Sequence, residues 1–530
     1  MWIKENVSVK KNGKTYTSTL VVESIRQGKV VKHKTLLNIS RWDKEKVEAF
    51  KAVLKGEQIT SIEQLKLTAG KTIGGLLVFK KLAEEIGIID SIGRRNKKLS
   101  QILLLIIGRI LTQGSRLHLL TWGKTQELQK VLGISLEEIT EEDLYKTLDY
   151  LAENQERIEK KLFKTRYLKK GTPRIYLYDV TSSYLEGEQN ELAAYGYNRD
   201  KKQGKKQIVI GLLTDEEGSP IAVRGFSGNT QDPKTVQSQI QKLAQEYGIR
   251  EVIFIGDKGM IKTGQISALG EANYHYITSI TKPQIQTLIK NGTLQLSLFD
   301  NTIGEVFDRA NNLRYVYRRN PIRAEEIKIN RAQRQKKLEE IITKTNTYLK
   351  EHLRSKTETA QANLQKARKR LNCDYLTIEQ IDRIFSITEN QEKLKQAQSL
   401  DGCFVIKTDC FDGDLSKQII YDRYKDLKHV EAAFKTIKTG FLEIRPIYLR
   451  KDKRTRGHIF ITMLAYLIIH IFQNKTKDIP ATLTEKVDAL DTIQTVSCNF
   501  LGATTHRIPQ QSPFIQNILQ TLSYTLPVTV

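Results

Sequence analysis

Residues 174–180 read RIYLYDV, residues 206–226 read KQIVIGLLTDEEGSPIAVRGF and residues 252–259 read VIFIGDKG. These three stretches decide the fold. Each is rich in β-branched or aromatic residues and bounded by turn formers, the pattern of a strand. The middle stretch holds two apolar runs around Asp215-Glu216-Glu217-Gly218, a hairpin turn. The last is short and almost wholly apolar, as a central strand is. Asp232-Pro233 then supplies an N-cap and a first-turn proline for a helix over 234–248. A helix around 262–270 and a strand at 274–280 (YHYITSI) follow. This order of four strands before and between helices implies an α/β fold with a mixed sheet whose first three strands are antiparallel.

Working outward, residues 1–60 show β-branched runs separated by glycine turns, a small β-rich unit. Residues 61–170 carry helical periodicity: QILLLIIGRILTQ (101–113) is an apolar helix, and Ser135 is a candidate N-cap for the helix that ends near 163. The sheet-forming core is expected over 171–290 and again over 400–475, where GCFVIKTD (402–409) returns as a strand. HIFITMLAYLIIHIF (458–472) reads as a buried helix, too short and interrupted to span a bilayer. Residues 476–530 give two weaker amphipathic segments, a C-terminal helical piece.

Between them, 291–399 reads as a basic, largely helical insertion. From Arg318 to Arg370 there are 16 lysines and arginines against 6 acidic residues. One tenth of the chain thus holds two fifths of its net charge of +25. A basic excess of that size points to a polyanion, above all nucleic acid. With 39% hydrophobic residues the chain has material for a real core, which argues against disorder. Only four cysteines occur in 530 residues, with no C-x-x-C pair, which excludes a disulfide scaffold and a zinc ribbon. MWIKENVSVKKNG lacks the apolar run of a signal peptide. A soluble protein of a reducing compartment is expected.

Three carboxylates stand where chemistry is plausible. Asp179 ends the first strand, Asp257 ends VIFIGD, and Glu431 lies in the helix YKDLKHVEAAFKTIK (424–438). Taken singly, each has an ordinary reading as a turn former or a solvated surface acid. Together, two aspartates at strand ends and a helical glutamate can converge on one rim of a sheet. Magnesium takes oxygen ligands and keeps several waters, so few carboxylates suffice. Two such ions can activate an attacking oxygen and stabilise the leaving one in phosphoryl displacement. Tyr424, Glu431 and Lys438 stand seven residues apart, close to two helical turns, which places all three on one helix face.

With these residues in view, the chain resembles the bacterial insertion-sequence transposases of the DDE class. More narrowly, it is similar to the group marked by a Tyr-Arg-Glu-Lys signature around the glutamate. The resemblance rests on YLYDVTSSYLEG (176–187), VIFIGDKGM (252–260) and the long stretch 424–467, with support from 195–213 and 220–235. It implies a ribonuclease-H-like core with a large insertion between the second aspartate and the glutamate. That interval is 174 residues here, against 78 between the two aspartates. It implies Asp179, Asp257 and Glu431 as catalytic metal ligands for two Mg²⁺ ions, with Mn²⁺ as a substitute. Tyr424, Lys438 and Lys428 are the implied DNA contacts.

The family's arginine position holds Leu427, and Lys425, Lys428 or Arg423 are candidates to replace its charge. Some relatives stack a flipped base on an insertion-domain tryptophan. Trp2, Trp42 and Trp122 all lie outside the insertion, leaving Tyr315, Tyr317 or Phe307 for that role. The basic loop 198–206 (NRDKKQGKK) is a further candidate for DNA contact. The implied function is end cleavage and strand transfer on double-stranded DNA at terminal inverted repeats. Residues 61–170 and the insertion would bind the ends, and a synaptic homodimer in the cytoplasm, on the nucleoid, would join them. The alternatives are a ribonuclease-H-like nuclease without strand transfer and a catalytically decayed DNA-binding protein.

Overall fold

The structure is a computed structural model and describes all residues except 10–14, 29, 58–65, 168–170, 198, 201, 248, 250–251, 412–414, 501–502 and 530. The chain forms two compact units: residues 1–72 with 493–511 and 525–530, and residues 73–492 with 512–524.

The first unit opens with an antiparallel meander of β1 (Trp2–Val9), β2 (Thr15–Gln27) and β3 (Val30–Asn38). Helix α1 (Lys44–Leu54) packs its buried Val47 against Val21 of β2 and Ile39. Only strands were expected in 1–60; α1 overturns that expectation, and its signal is the helical spacing of Val47, Phe50 and Leu54. The expected boundary at 60/61 lies outside the described residues. Beyond it, β4 (Lys66–Thr72) is a strand, not the helix expected there, because its partner comes from the far end of the chain.

The second unit starts with α2 (Gly74–Ile86), α3 (Ile88–Ile92), α4 (Leu99–Leu111), α5 (Arg116–Gly123), α6 (Leu128–Leu132) and α7 (Glu141–Tyr167). Ser135 does not cap α7. It precedes a short 3-10 turn, and Thr140 caps instead, its hydroxyl accepting from Asp143 N while the Asp143 carboxylate accepts from Thr140 N.

The sheet strands follow: β5 (Ile175–Tyr184), β6 (Gln207–Asp215) and β7 (Pro220–Ser227), then α8 (Asp232–Gln241), β8 (Ile253–Gly256), α9 (Thr263–Glu271), β9 (His275–Ser279) and α10 (Lys282–Lys290). Gln231, one residue earlier than expected, is the N-cap of α8, with Pro233 in the first turn. Gly248, the last residue of the helix expected there, lies outside the described residues. Next come β10 (Gly304–Asp308) and β11 (Leu313–Arg319), and then α11 (Pro321–Glu351), α12 (Thr357–Arg370), β12 (Leu376–Ile381), β13 (Ile384–Glu389) and α13 (Gln391–Ser399). The chain returns through β14 (Cys403–Thr408) to α14 (Lys417–Lys425), α15 (Leu427–Lys435), α16 (Asp452–Lys475) and α17 (Leu483–Asp491).

Eight strands make one mixed sheet in the order β10-β11-β14-β9-β8-β5-β6-β7. β5, β6 and β7 are antiparallel, whereas β8 and β9 run parallel to β5. The expected insertion boundary at 291 therefore moves. β10 and β11 belong to the sheet through β14, and the inserted part runs from α11 to α13 around its own core of Leu338, Ile342, Leu364 and Phe385. Helices α11 and α12 carry the basic segment, and the β12–β13 hairpin, not expected there, exposes most of its residues, Ile381 and Ile384 included.

Helix α16 is 24 residues long, and its apolar window is long enough to span a bilayer by length and composition, contrary to expectation. That window is buried within the unit, against α4, α7 and β7. Gly457 permits the close approach to α7, since a Cβ there would collide with the Leu148 carbonyl. Finally β15 (Gln494–Phe500) pairs with β4 on one side and with β16 (Ala503–Arg507) on the other in the first unit, and α18 (Pro513–Thr521) belongs to the second. The expected all-helical segment 476–530 thus contains two strands. Its run TIQTV breaks polar–apolar alternation at Gln494-Thr495, and following directly on a helical stretch it resembles the end of an amphipathic helix.

Candidate active site

Sheet register brings the two aspartates together. Parallel pairing of β5 with β8 ends at Tyr178 opposite Gly256, so the next residues, Asp179 and Asp257, come side by side. Asp179 does not end its strand as expected. β5 continues through Val180 and Thr181 to Tyr184 because β6 pairs with it along its whole length. Helix α15 packs on β5 and carries Glu431. All three carboxylates line one cleft of about 550 Å³.

Each aspartate is oriented locally. Asp179 Oδ1 accepts the Val180 amide at 2.8 Å, and Asp257 Oδ1 accepts the Lys258 amide at 2.7 Å. The Tyr424 hydroxyl donates to Asp257 Oδ1 (3.2 Å) and reaches Ser279 Oγ (2.9 Å), which fixes Asp257 from the helix side. Asp179 is only partly accessible. Burial above all, then the negative charge of Asp257 and Glu431, pushes it up to about 7, against the opposing effects of the Val180 amide and Arg199. The site therefore concentrates negative charge that its own residues do not balance at Asp179, the electrostatics of a cation site.

The structure separates the expected DNA contacts. Tyr424 and Lys428 line the cleft. Lys438 does not. Its ammonium is 2.6 Å from Asp200, a carboxylate only 1% exposed, and donates to Thr181 Oγ1 at 2.9 Å. Arg445 shares the same carboxylate. The seven-residue interval misleads because the winding is not continuous: α14 and α15 break at Asp426, and a π turn over Thr436–Gly440 follows. Lys438 thus ties the segment after the glutamate helix to β5 through Thr181 and to Asp200 through a buried ion pair.

Leu427, at the signature's arginine position, lines the cleft and is largely buried. Lys425 and Lys428 stand in the cleft as candidates for its charge, whereas Arg423 pairs with Asp426 at 3.1 Å. Two further cleft cations escape a reading of the sequence: Lys282 at the start of α10, 3.5 Å from Asp401, and Arg323 in the first turn of α11, in an exposed pair with Glu326 at 2.6 Å. Arg323 carries a signal, lying in the basic segment, but only the sheet topology returns that segment to the site.

Other candidates fall away. Asp232 is engaged by Arg199 through both oxygens, at 2.6 and 2.7 Å. Of the basic loop 198–206, Asn198 and Lys201 lie outside the described residues. Tyr315 and Tyr317 are buried in β11 at 5% and 6% exposure and present no face for a base. Phe307 is exposed, with its ring 5.7 Å from that of Phe411.

Residues 170–468 match the family described as transposase DDE domain, and residues 3–64 match the family described as IS1634 family transposase, N-terminal domain. No curated protein matches the chain. Among solved structures, a piggyBac transposase synaptic complex with hairpin DNA, determined by cryo-EM, is similar at a TM-score of 0.38 and 12% identity, over 80% of this chain and 82% of that one.

Proposed function

Because the chain belongs to the DDE transposases, enzymes of DNA transposition that depend on divalent metal, we propose that it cuts the ends of its own element at terminal inverted repeats and transfers the freed 3′-hydroxyls into target DNA. The observation that carries this reading is the meeting of Asp179, Asp257 and Glu431 in one cleft whose rim holds Lys282, Arg323, Lys425 and Lys428. Acidic floor and basic rim together suit a phosphodiester. The order β7-β6-β5-β8-β9, with β8 and β9 parallel to β5, supports a ribonuclease-H-like core. Tyr424, Glu431 and Lys438 support placing the chain in the Tyr-Arg-Glu-Lys group, with Leu427 as its departure.

In this reading Asp179, Asp257 and Glu431 would hold two Mg²⁺ ions, whose chemistry when bound would be to activate the attacking oxygen and offset charge on the leaving one. The chain's own residues do the rest. Val180 N and Lys258 N aim the aspartates, and Tyr424 holds Asp257 against rotation. The four rim cations bind DNA phosphates and orient the strand. No covalent enzyme intermediate is required, because water and then the 3′-hydroxyl act as nucleophiles in turn. The chain would act as a homodimer on two DNA ends in a bacterial cytoplasm.

The test is an assay with both products in view. Purified protein is incubated with Mg²⁺, a duplex from the DNA flanking its gene and a supercoiled target plasmid. Nicks at the repeat ends and joined plasmid products are expected. Cleavage without joining would replace the proposal by a nuclease, and binding without any cleavage by a decayed DNA-binding protein.

A further inference from the structure

A second cavity, of about 530 Å³, shares no lining residue with the carboxylate cleft. It lies where α4 ends and α5 begins, and α16 and the segment 443–449 complete its wall. Three guanidiniums line it, and two of them are buried: Arg109, in the last turn of α4, and Arg116, the first residue of α5. They are 7% and 8% exposed.

Neither has a counter-charge in contact. Arg109 Nη1 donates to the Gln113 carbonyl, and Arg116 Nη2 donates to His458 Nδ1 at 3.0 Å. Among the described residues no carboxylate lies within 4.0 Å of either. Arg445 on the same wall is paired with Asp200. His458 is no counter-ion, because burial and the two guanidiniums hold it neutral. Glu443 also lines the cavity and acts on Arg109 from beyond ion-pair distance, as Glu141 does on Arg116. Burial drives Arg109 down to about 9 and lowers Arg116, so holding guanidinium charge here costs the fold. Buried charge is ordinarily paired, and here the space beside it is open.

We infer that this cavity is an anion site in which Arg109 and Arg116 together grip a phosphate group. Guanidinium forks match phosphate oxygens in geometry as well as charge. On the transposase reading, on which this assignment of source rests, the phosphate belongs to the backbone of bound DNA. The relay Arg445–Asp200–Lys438–Thr181 connects the cavity wall to β5, two residues beyond Asp179. A phosphate held there would register the DNA against the strand that carries the first aspartate. A free phosphate ester is the other source of the same chemistry.

Two measurements on the full chain decide the matter. In the first, the Tm of wild type, Arg109→Gln and Arg116→Gln is followed with inorganic phosphate at constant ionic strength. A saturable rise of several degrees in wild type, reduced in both variants, is expected. The wild-type response needs no variant, so a misfolded variant does not obscure it. In the second, metal-free binding to the flanking DNA is followed against salt. Arg116→Gln should reduce the slope of log K on log salt by about 1. A phosphate response with an unchanged slope would assign the site to a free ester and overturn the DNA assignment. No phosphate response together with an unchanged slope overturns the site. Should wild type not bind the flanking DNA at all, the transposase reading fails, while the phosphate titration still decides the cavity.

Discussion

Tyr424 is worth following at the scale of single residues, because its hydroxyl spans two elements. It donates to Asp257 after β8 and reaches Ser279 at the end of β9. Tyr424→Phe keeps the ring against Phe404 and removes only the hydroxyl. A hydrogen bond to a charged group is worth about 1.5–3 kcal/mol, so the cleavage rate should fall roughly tenfold or more and the Tm by a few degrees, while DNA affinity holds. Single-turnover rates beside a binding isotherm check this. Lys438 predicts the reverse pattern. Lys438→Met leaves the buried Asp200 with one cation fewer, and a loss of about 2–4 kcal/mol is expected in urea unfolding, softened by Arg445. At this scale the three carboxylates are legible in the sequence, since each sits in a distinctive local stretch. Lys282 and Arg323 are not, because their place in the cleft depends on parts of the sheet domain far away along the chain. Lys438 is misplaced by its spacing because a π turn cannot be read from a seven-residue interval.

Among the elements, the inserted arm is the largest departure from a plain sheet-and-helix core. Its long helix α11 shows Lys336, Lys337, Lys344 and Lys350 to solvent. If they contact DNA, changing all four to Gln should leave the Tm nearly unchanged. The salt slope of DNA binding should then shrink by about 0.9 for each phosphate that the variant no longer neutralises. An unchanged slope would remove the arm from the DNA interface. Helix α17 offers a test by pH. Asp491 ends it with Oδ1 buried and without a hydrogen-bond partner, and burial, then Asp488, pushes it up to about 6. Its folded value lies above the ordinary carboxylate range near about 4. The protonated form therefore favours the fold, and that contribution is lost as pH rises through about 6. Asp491→Asn should raise the Tm at pH 8 and leave it unchanged at pH 4. The arm's helices and the strands from β5 to β9 are legible from periodicity and turn residues. β10, β11, β15 and β16 are not, because short strands in a basic or polar setting are recognised by partners that only tertiary structure supplies.

For the whole molecule, the chain's two ends are joined in one unit: β4 pairs with β15, so the first unit is closed only once the last residues are made. A reading in sequence order cannot find that pairing, and it yields separate N- and C-terminal pieces. The net charge of +25, by contrast, is a property of the whole that composition states directly. In the proposed function charge brings DNA to the protein, and the chemistry is assigned to three carboxylates held by three elements of one sheet domain. The most direct measurement is therefore Mg²⁺-dependent cleavage of the flanking repeat DNA by wild type and Asp257→Ala side by side, with binding and Tm recorded for both. Asp257 is exposed, so the variant should fold and bind as wild type does. Metal-dependent cuts at the repeat ends by wild type, absent in the variant, are the expected result. Equal cleavage by a folded, DNA-binding Asp257→Ala protein would contradict the assignment of the site.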